Sequence, residues 1–137
     1  MSDVTIVAAD VRPFPGCIIR RFTAGGTIPV GAPVYLSAAD TVSAADASAT
    51  TTSFAIGVLV AVYDPATAGQ AASGEMVDVV LEGPVAGYST NMAHNTIFYV
   101  DDDAGIIADA AGAKDTIIGI GLSASVLYVR PIWINLS

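Results

Sequence analysis

The chain has 137 residues, 53% of them hydrophobic and only 13% charged, with a formal net charge of −8; that charged fraction is about half the ~25% of ordinary soluble domains. It holds 24 Ala, 16 Val and 13 Ile against 2 Glu, 1 Lys and 1 Gln, so helix formers other than Ala are scarce and β-branched residues dominate. This excludes a helical bundle, a coiled coil and a charged disordered tail, and it implies apolar surface covered by a partner.

In chain order, residues 1–16 differ from the rest. Pro13, Pro15 and Gly16 work against regular structure and favour extended backbone, so this segment reads as an extended arm with a short strand at residues 4–8. Such an arm is either a disordered tail or a clasp on a neighbour. Residues 17–137 then read as one all-β domain. Cys17-Ile18-Ile19-Arg20-Arg21-Phe22 is a strand closed by Gly25-Gly26. Pro33-Val34-Tyr35-Leu36 is a second strand, and Val42 begins its return. Residues 43–53 are Ala, Ser, Thr and Asp and read as a surface loop. Residues 54–63 form a strongly apolar strand, and residues 64–74 a loop.

Residues 75–82 alternate, with Val77, Val79 and Leu81 on one face and Asp78 and Glu82 on the other, the period of a half-buried strand. Gly83-Pro84 is expected to break it before residues 85–88 continue. Residues 96–100 are a strand ending at Asp101-Asp102-Asp103-Ala104-Gly105, and Ile106-Ile107 starts the return. Residues 116–122 and 125–134 are the last two strands, the second interrupted by Pro131, which favours an edge or a bulge.

The order repeats. Val34-Tyr35-Leu36, Val42 and Ala55-Ile56-Gly57-Val58 form one unit; Phe98-Tyr99-Val100, Ile106 and Ile118-Gly119-Ile120 form another, each followed by an alternating strand. Two such units in a chain of this length suggest one pseudo-symmetric barrel or sandwich, not two domains.

Membrane and nucleic-acid partners are not expected. The longest apolar run, residues 54–63, is ten residues, half the ~20 a spanning helix requires, and the sparse aromatics do not form the girdles of a membrane barrel. No basic stretch precedes an apolar one at Met1-Ser2-Asp3, so no signal peptide is expected. Five basic residues face thirteen acidic ones, and only Arg20-Arg21 are adjacent, too few to grip a phosphate backbone.

Chemistry is sparse as well. Cys17 is the single cysteine and reads as a small buried hydrophobe in a reducing cytosol or a particle assembled there. The lone His94 reads as a solvated loop residue without a held partner. Asp101-Asp102-Asp103 would point to opposite faces of a strand and lacks the spacing of a calcium loop, so it reads as hairpin-turn chemistry. Gly121-Leu122-Ser123-Ala124-Ser125 falls short of a nucleophile elbow, and no glycine segment has the context of a phosphate loop. No enzyme, cofactor or metal site is expected.

Gly31-Ala32-Pro33-Val34-Tyr35, Ile56-Gly57-Val58 and Val79-Val80-Leu81-Glu82-Gly83-Pro84-Val85 together resemble the β-rich head-decoration (cement) proteins of tailed phages. Phe98-Tyr99-Val100-Asp101, Asp103-Ala104-Gly105, Ile118-Gly119-Ile120-Gly121-Leu122 and residues 126–130 extend the likeness over residues 17–134. The resemblance implies a small β-barrel, β-tulip or sandwich subunit, usually a homotrimer, on the outer capsid surface of the virion, bound to the major capsid protein. The arm, residues 1–16, lies outside the likeness; as a segment that orders on contact and spreads over neighbouring capsid subunits, it offers Val4, Ile6, Val11, Arg12 and Phe14 as expected capsid contacts, and Arg20, Arg21, Arg130 and Trp133 are expected subunit-interface residues. A different class, a carbohydrate-binding or adhesive β-sandwich, would use Trp133-Ile134-Asn135 or Tyr88-Ser89-Thr90-Asn91, since sugars favour exposed aromatics.

Overall fold

A strand whose two faces are both buried must be apolar at every position, and residues 54–63 are. The structure, a computed structural model, describes residues 2–135; it covers residues 55–60 on both sides and leaves Phe54, Ala61 and Tyr63 at the ends exposed. It is all-β, 50% strand, with a closed five-stranded barrel and further strands outside the ring. The ring runs through β2 (Ile18–Ala24), β5 (Thr41–Ala44), β4 (Pro33–Ala38), β6 (Ala55–Val62) and β8 (Met76–Ala86), and closes where β8 pairs with β2 on one edge and β6 on the other. Phe22, Val34, Val42, Leu59, Val77 and Val79 fill it from these strands. Ile28 of β3 (Ile28–Pro29) and Ala71 of β7 (Gln70–Ala71) belong to the same core.

The neighbouring positions on β6 and β8 point the other way. Val58, Val60 and Val80 pack against Phe98 and Val100 of β9 (Ile97–Val100), Ile107 of β10 (Ile107–Ala108), Ile118 of β11 (Asp115–Gly121) and Leu127 and Val129 of β12 (Val126–Asn135). Those four strands form a second sheet in the order β10-β9-β11-β12, joined to the ring through the far half of β8. One wall of the barrel is thus the floor of a second core.

Gly83-Pro84 does not interrupt β8, contrary to the sequence expectation. The strand runs on, and it changes partners there: residues before Gly83 pair with β2 and β6, whereas Gly83 to Ala86 pair with β12. Gly83 has φ +131, and a Cβ there would meet Cys17 Cα at 2.9 Å, so only glycine permits the bend.

The internal repeat is a repeat of register. Val34 pairs with Gly57 and Tyr35 with Ala55, skipping one residue; Phe98 pairs with Gly119 and Tyr99 with Ile117, skipping one residue at the same place. A side chain on Gly57 would strike the Val80 carbonyl oxygen, and one on Gly119 the Tyr128 carbonyl oxygen. Both glycines therefore let a bulged strand sit flush on its partner.

The segment before β2 is docked. In the first unit Gly25 N–H donates to Val42 O at 2.7 Å; in the second, Val4 N–H donates to Ile107 O at 2.8 Å. Residues near the amino end thus do for β10 what the end of β2 does for β5. The expected strand at residues 4–8 is only two isolated bridges, Asp3 to Ala108 and Ile6 to Tyr88, followed by a 3-10 turn at Ala8–Asp10. Pro13 does join a ladder, in the two-residue β1 (Arg12–Pro13) against Ala86 and Val85, which a proline tolerates at a sheet edge. Residues 43–53 are more than a surface loop: Ala45, Ala47 and Ser53 are fully buried, because only small side chains fit between the loop and the second core.

Gly57→Ala and Gly119→Ala are each expected to cost about 2–4 kcal/mol, because a methyl group meets backbone that cannot swing aside. Urea unfolding measures this, with Gly26→Ala, where a Cβ meets open space, as the control.

Candidate functional site

An antiparallel sheet with one face on a core ordinarily turns polar side chains outward. The second sheet does not. Its outer face carries Ile97 and Tyr99 of β9, Ile117 and Ile120 of β11, and Tyr128, Arg130 and Ile132 of β12. Register sets them side by side: Ile120 lies opposite both Ile97 and Tyr128, and Ile117 opposite both Tyr99 and Ile132. Ile97 is 46% exposed and Ile132 44%. Gly119 leaves a depression of about 220 Å³ among them, and among the described residues Arg130 is the only charged one lining it.

Arg130 also lines a second, larger hollow of about 460 Å³ at the open end of the barrel, with Arg20, Leu36, Leu81, Glu82 and Trp133. The Trp133 indole N–H donates to Ala55 O at 2.9 Å, and its ring meets the edge of Phe54 at 5.0 Å between centroids, nearly perpendicular at 77°. The ring is pinned and still half exposed. Arg20 pairs with Asp40 at 2.7 Å and lies 5.0 Å over the Phe22 ring. Three of the four residues expected at a subunit interface, Arg20, Arg130 and Trp133, therefore converge on one hollow. Arg21 does not join them. As the next residue along β2 it faces the other side, where its guanidinium donates to Tyr63 O–H at 3.0 Å and sits 4.4 Å over that ring. Tyr63 O–H in turn donates to Asp78 at 2.8 Å.

The expected capsid contacts divide. Val4 is a core residue, 4% exposed in the second core, which corrects its assignment as a surface contact: burying it is worth about 1.5–3 kcal/mol. Ile6 and Val11 are half-buried against the core, while Arg12 and Phe14 are exposed. Tyr88, a candidate sugar platform, is likewise buried; its hydroxyl donates to Gly31 O at 2.9 Å, and burial raises its pKa. The side chains of Ile134 and Asn135 lie outside the described residues.

Asp101 is buried at 4% and accepts from Asp103 N–H at 3.1 Å, while Asp102 accepts from Ala113 N–H at 2.8 Å. These carboxylates tie turns together, as Asx residues do. Among the described residues no group of His, Cys, Asp or Glu is arranged to hold a metal ion. Cys17 is half-buried, donating to Pro84 O at 3.2 Å, and burial pushes its thiol pKa up. His94 is exposed in the turn before β9.

The outer face escaped the sequence reading. Residues 116–122 are apolar on both parities, the pattern of a strand covered twice, and the chain covers it once.

Asp3 sits exposed at the β10 edge, where slight desolvation and then the carboxylates of Asp101, Asp103 and, less strongly, Asp109 raise its pKa above the ordinary 3.8, against the amino terminus, which lowers it. The folded state thus holds this proton more tightly than the unfolded chain, so ionisation costs stability as pH rises through that range. Asp3→Asn, which cannot ionise, is expected to raise the melting temperature at pH 7 and to give no gain below about pH 3. Calorimetry at both pH values checks it.

No protein-family model matches the chain, and no curated protein sequence matches it. The likeness to head-decoration proteins rests on its phrases of turn and strand alone.

Proposed function

We propose that this chain is a structural decoration protein that seats on the outer surface of a phage head and stabilises the shell of major capsid protein, assembling with two copies of itself. One observation carries the reading: the outer face of the second sheet is apolar across three strands where a free-standing sheet would be polar. A surface of that kind marks a protein–protein contact. Two further features agree with it. The strands are braced on two cores that share one wall, giving a rigid subunit. The charged residues are few and largely spent on turns and surface pairs, as in Asp101, Asp102, Arg20 and Arg21.

In this reading Ile97, Ile117, Ile120, Tyr128 and Ile132 of the outer face meet sibling subunits, with Arg130 at the rim and its guanidinium open to the barrel mouth, and exposed residues of the leading segment, Arg12 and Phe14, meet the shell. That segment grips while docked on its own domain, with Val4 as its anchor. The carbohydrate reading is less well supported: Tyr88 is buried, and the half-exposed Trp133 faces a hollow lined by two arginines and leucines.

Shells of the cognate major capsid protein, prepared without decoration, are expected to bind the purified chain to saturation and to melt at a higher temperature once coated. Ile120→Asp, which places a charge at the centre of the exposed face, is expected to abolish coating and leave the chain's own unfolding within about 0.5 kcal/mol, as an exposed site allows. Failure of the folded wild type to coat the shell, or unchanged coating by the variant, would contradict the proposal.

A further inference from the structure

The barrel is plugged by its own core over most of its length and open at one end. Inward-facing positions continue past Phe22 on β2, Val34 on β4 and Val79 on β8 to Arg20, Leu36 and Leu81, each two residues nearer that end. Phe22 is buried whereas Leu36 is 50% exposed, so the last layer of the interior is an unfilled mouth. Its 460 Å³ lies within the range of ligand sites, which favour barrel mouths.

Two chemistries line it. Leu36, Leu81 and the pinned, half-exposed Trp133 ring supply apolar walls. Arg20 and Arg130 supply positive charge, two of only five Lys and Arg in a chain of net charge −8. Arg20 is already paired with Asp40, whereas Arg130 is exposed and makes no ion pair among the described residues. Among the described residues the carboxylate on the rim is Glu82, which takes a long 3.5 Å hydrogen bond from Tyr128 O–H. Beyond Val129, paired with Gly83, the edge of β12 nearest β8 has no strand partner among the described residues, so one wall of the mouth is an unpaired strand edge, interrupted at Pro131, which has no N–H to give.

We infer that the mouth binds an extended segment of a partner protein, placing a carboxylate at Arg130 and a neighbouring aromatic or large aliphatic side chain against Trp133 and Leu36. Charge complementarity selects the acid, and the unpaired edge of β12 favours a peptide over a free small acid, since strand addition supplies main-chain hydrogen bonds. The inference stands whether or not the chain coats a capsid.

Trp133 is the single tryptophan, so its fluorescence reports on the mouth. The full chain is titrated with a blocked five-residue peptide containing Glu beside Phe, with the same peptide carrying Gln for Glu, and with 3-phenylpropionate. A saturable change in emission is expected with the Glu peptide, about tenfold weaker binding with the Gln peptide and with phenylpropionate, and about tenfold weaker binding of the Glu peptide to Arg130→Gln. Arg130→Lys is expected to recover part of that loss, and Leu36→Ser to weaken both peptides, with circular dichroism confirming that each variant is folded. Equal binding of the Glu and Gln peptides, phenylpropionate binding as tightly as the peptide, or no binding at millimolar peptide would each overturn the inference.

Discussion

Strand β8 is shared by two cores, and the rest of the molecule depends on that sharing. Its alternate side chains feed opposite interiors: Val77 and Val79 enter the barrel, while Val80 faces the second core. Its two halves serve different sheets, with Gly83 as the joint. A side chain at Gly83 would drive into Cys17, moving β2 off β8 and opening the ring. At the same residue β8 passes from its barrel partners to β12, and the far part of β12 reaches the barrel end, where the Trp133 indole donates to Ala55 O. One backbone requirement thus serves both the closure of the barrel and the passage to β12.

The second sheet inherits a burden from this arrangement. It covers one wall of the barrel, and none of the described residues covers its other side, yet β9, β11 and β12 carry large apolar side chains on both faces. Burial at roughly 25 cal/mol per Å² makes a strand of isoleucines favourable only on the side that leaves water. The exposed side gains nothing until another surface meets it. Arg130, between Tyr128 and Ile132 on that side, is the type of residue that borders such contacts, combining a charge with an apolar stem.

Much of this was legible in the residues. Apolar runs, turn signals and, at residues 75–82, strand periodicity located the eight longer strands, β5 only as a return beginning at Val42 and β8 as two pieces, and the Tyr35/Tyr99 and Gly57/Gly119 correspondence marked two units whose registers coincide. What was not legible has physical reasons. Gly83-Pro84 looks like a stop because each residue disfavours a strand alone, but a strand changing sheets needs the glycine. Val4 and Tyr88 looked available because burial is a long-range property: Val4 is buried by Ile107 and its neighbours, about a hundred residues away in sequence. The outer face was hidden for the opposite reason, since a doubly apolar strand reads as core whether or not the chain itself supplies the second cover.

Sedimentation equilibrium of the intact chain over a range of micromolar concentrations tests most directly whether that face is an assembly surface. The account predicts a species of three times the 13.8 kDa chain mass, dissociating on dilution as mass action requires. A chain that stays at its monomer mass throughout that range would contradict it.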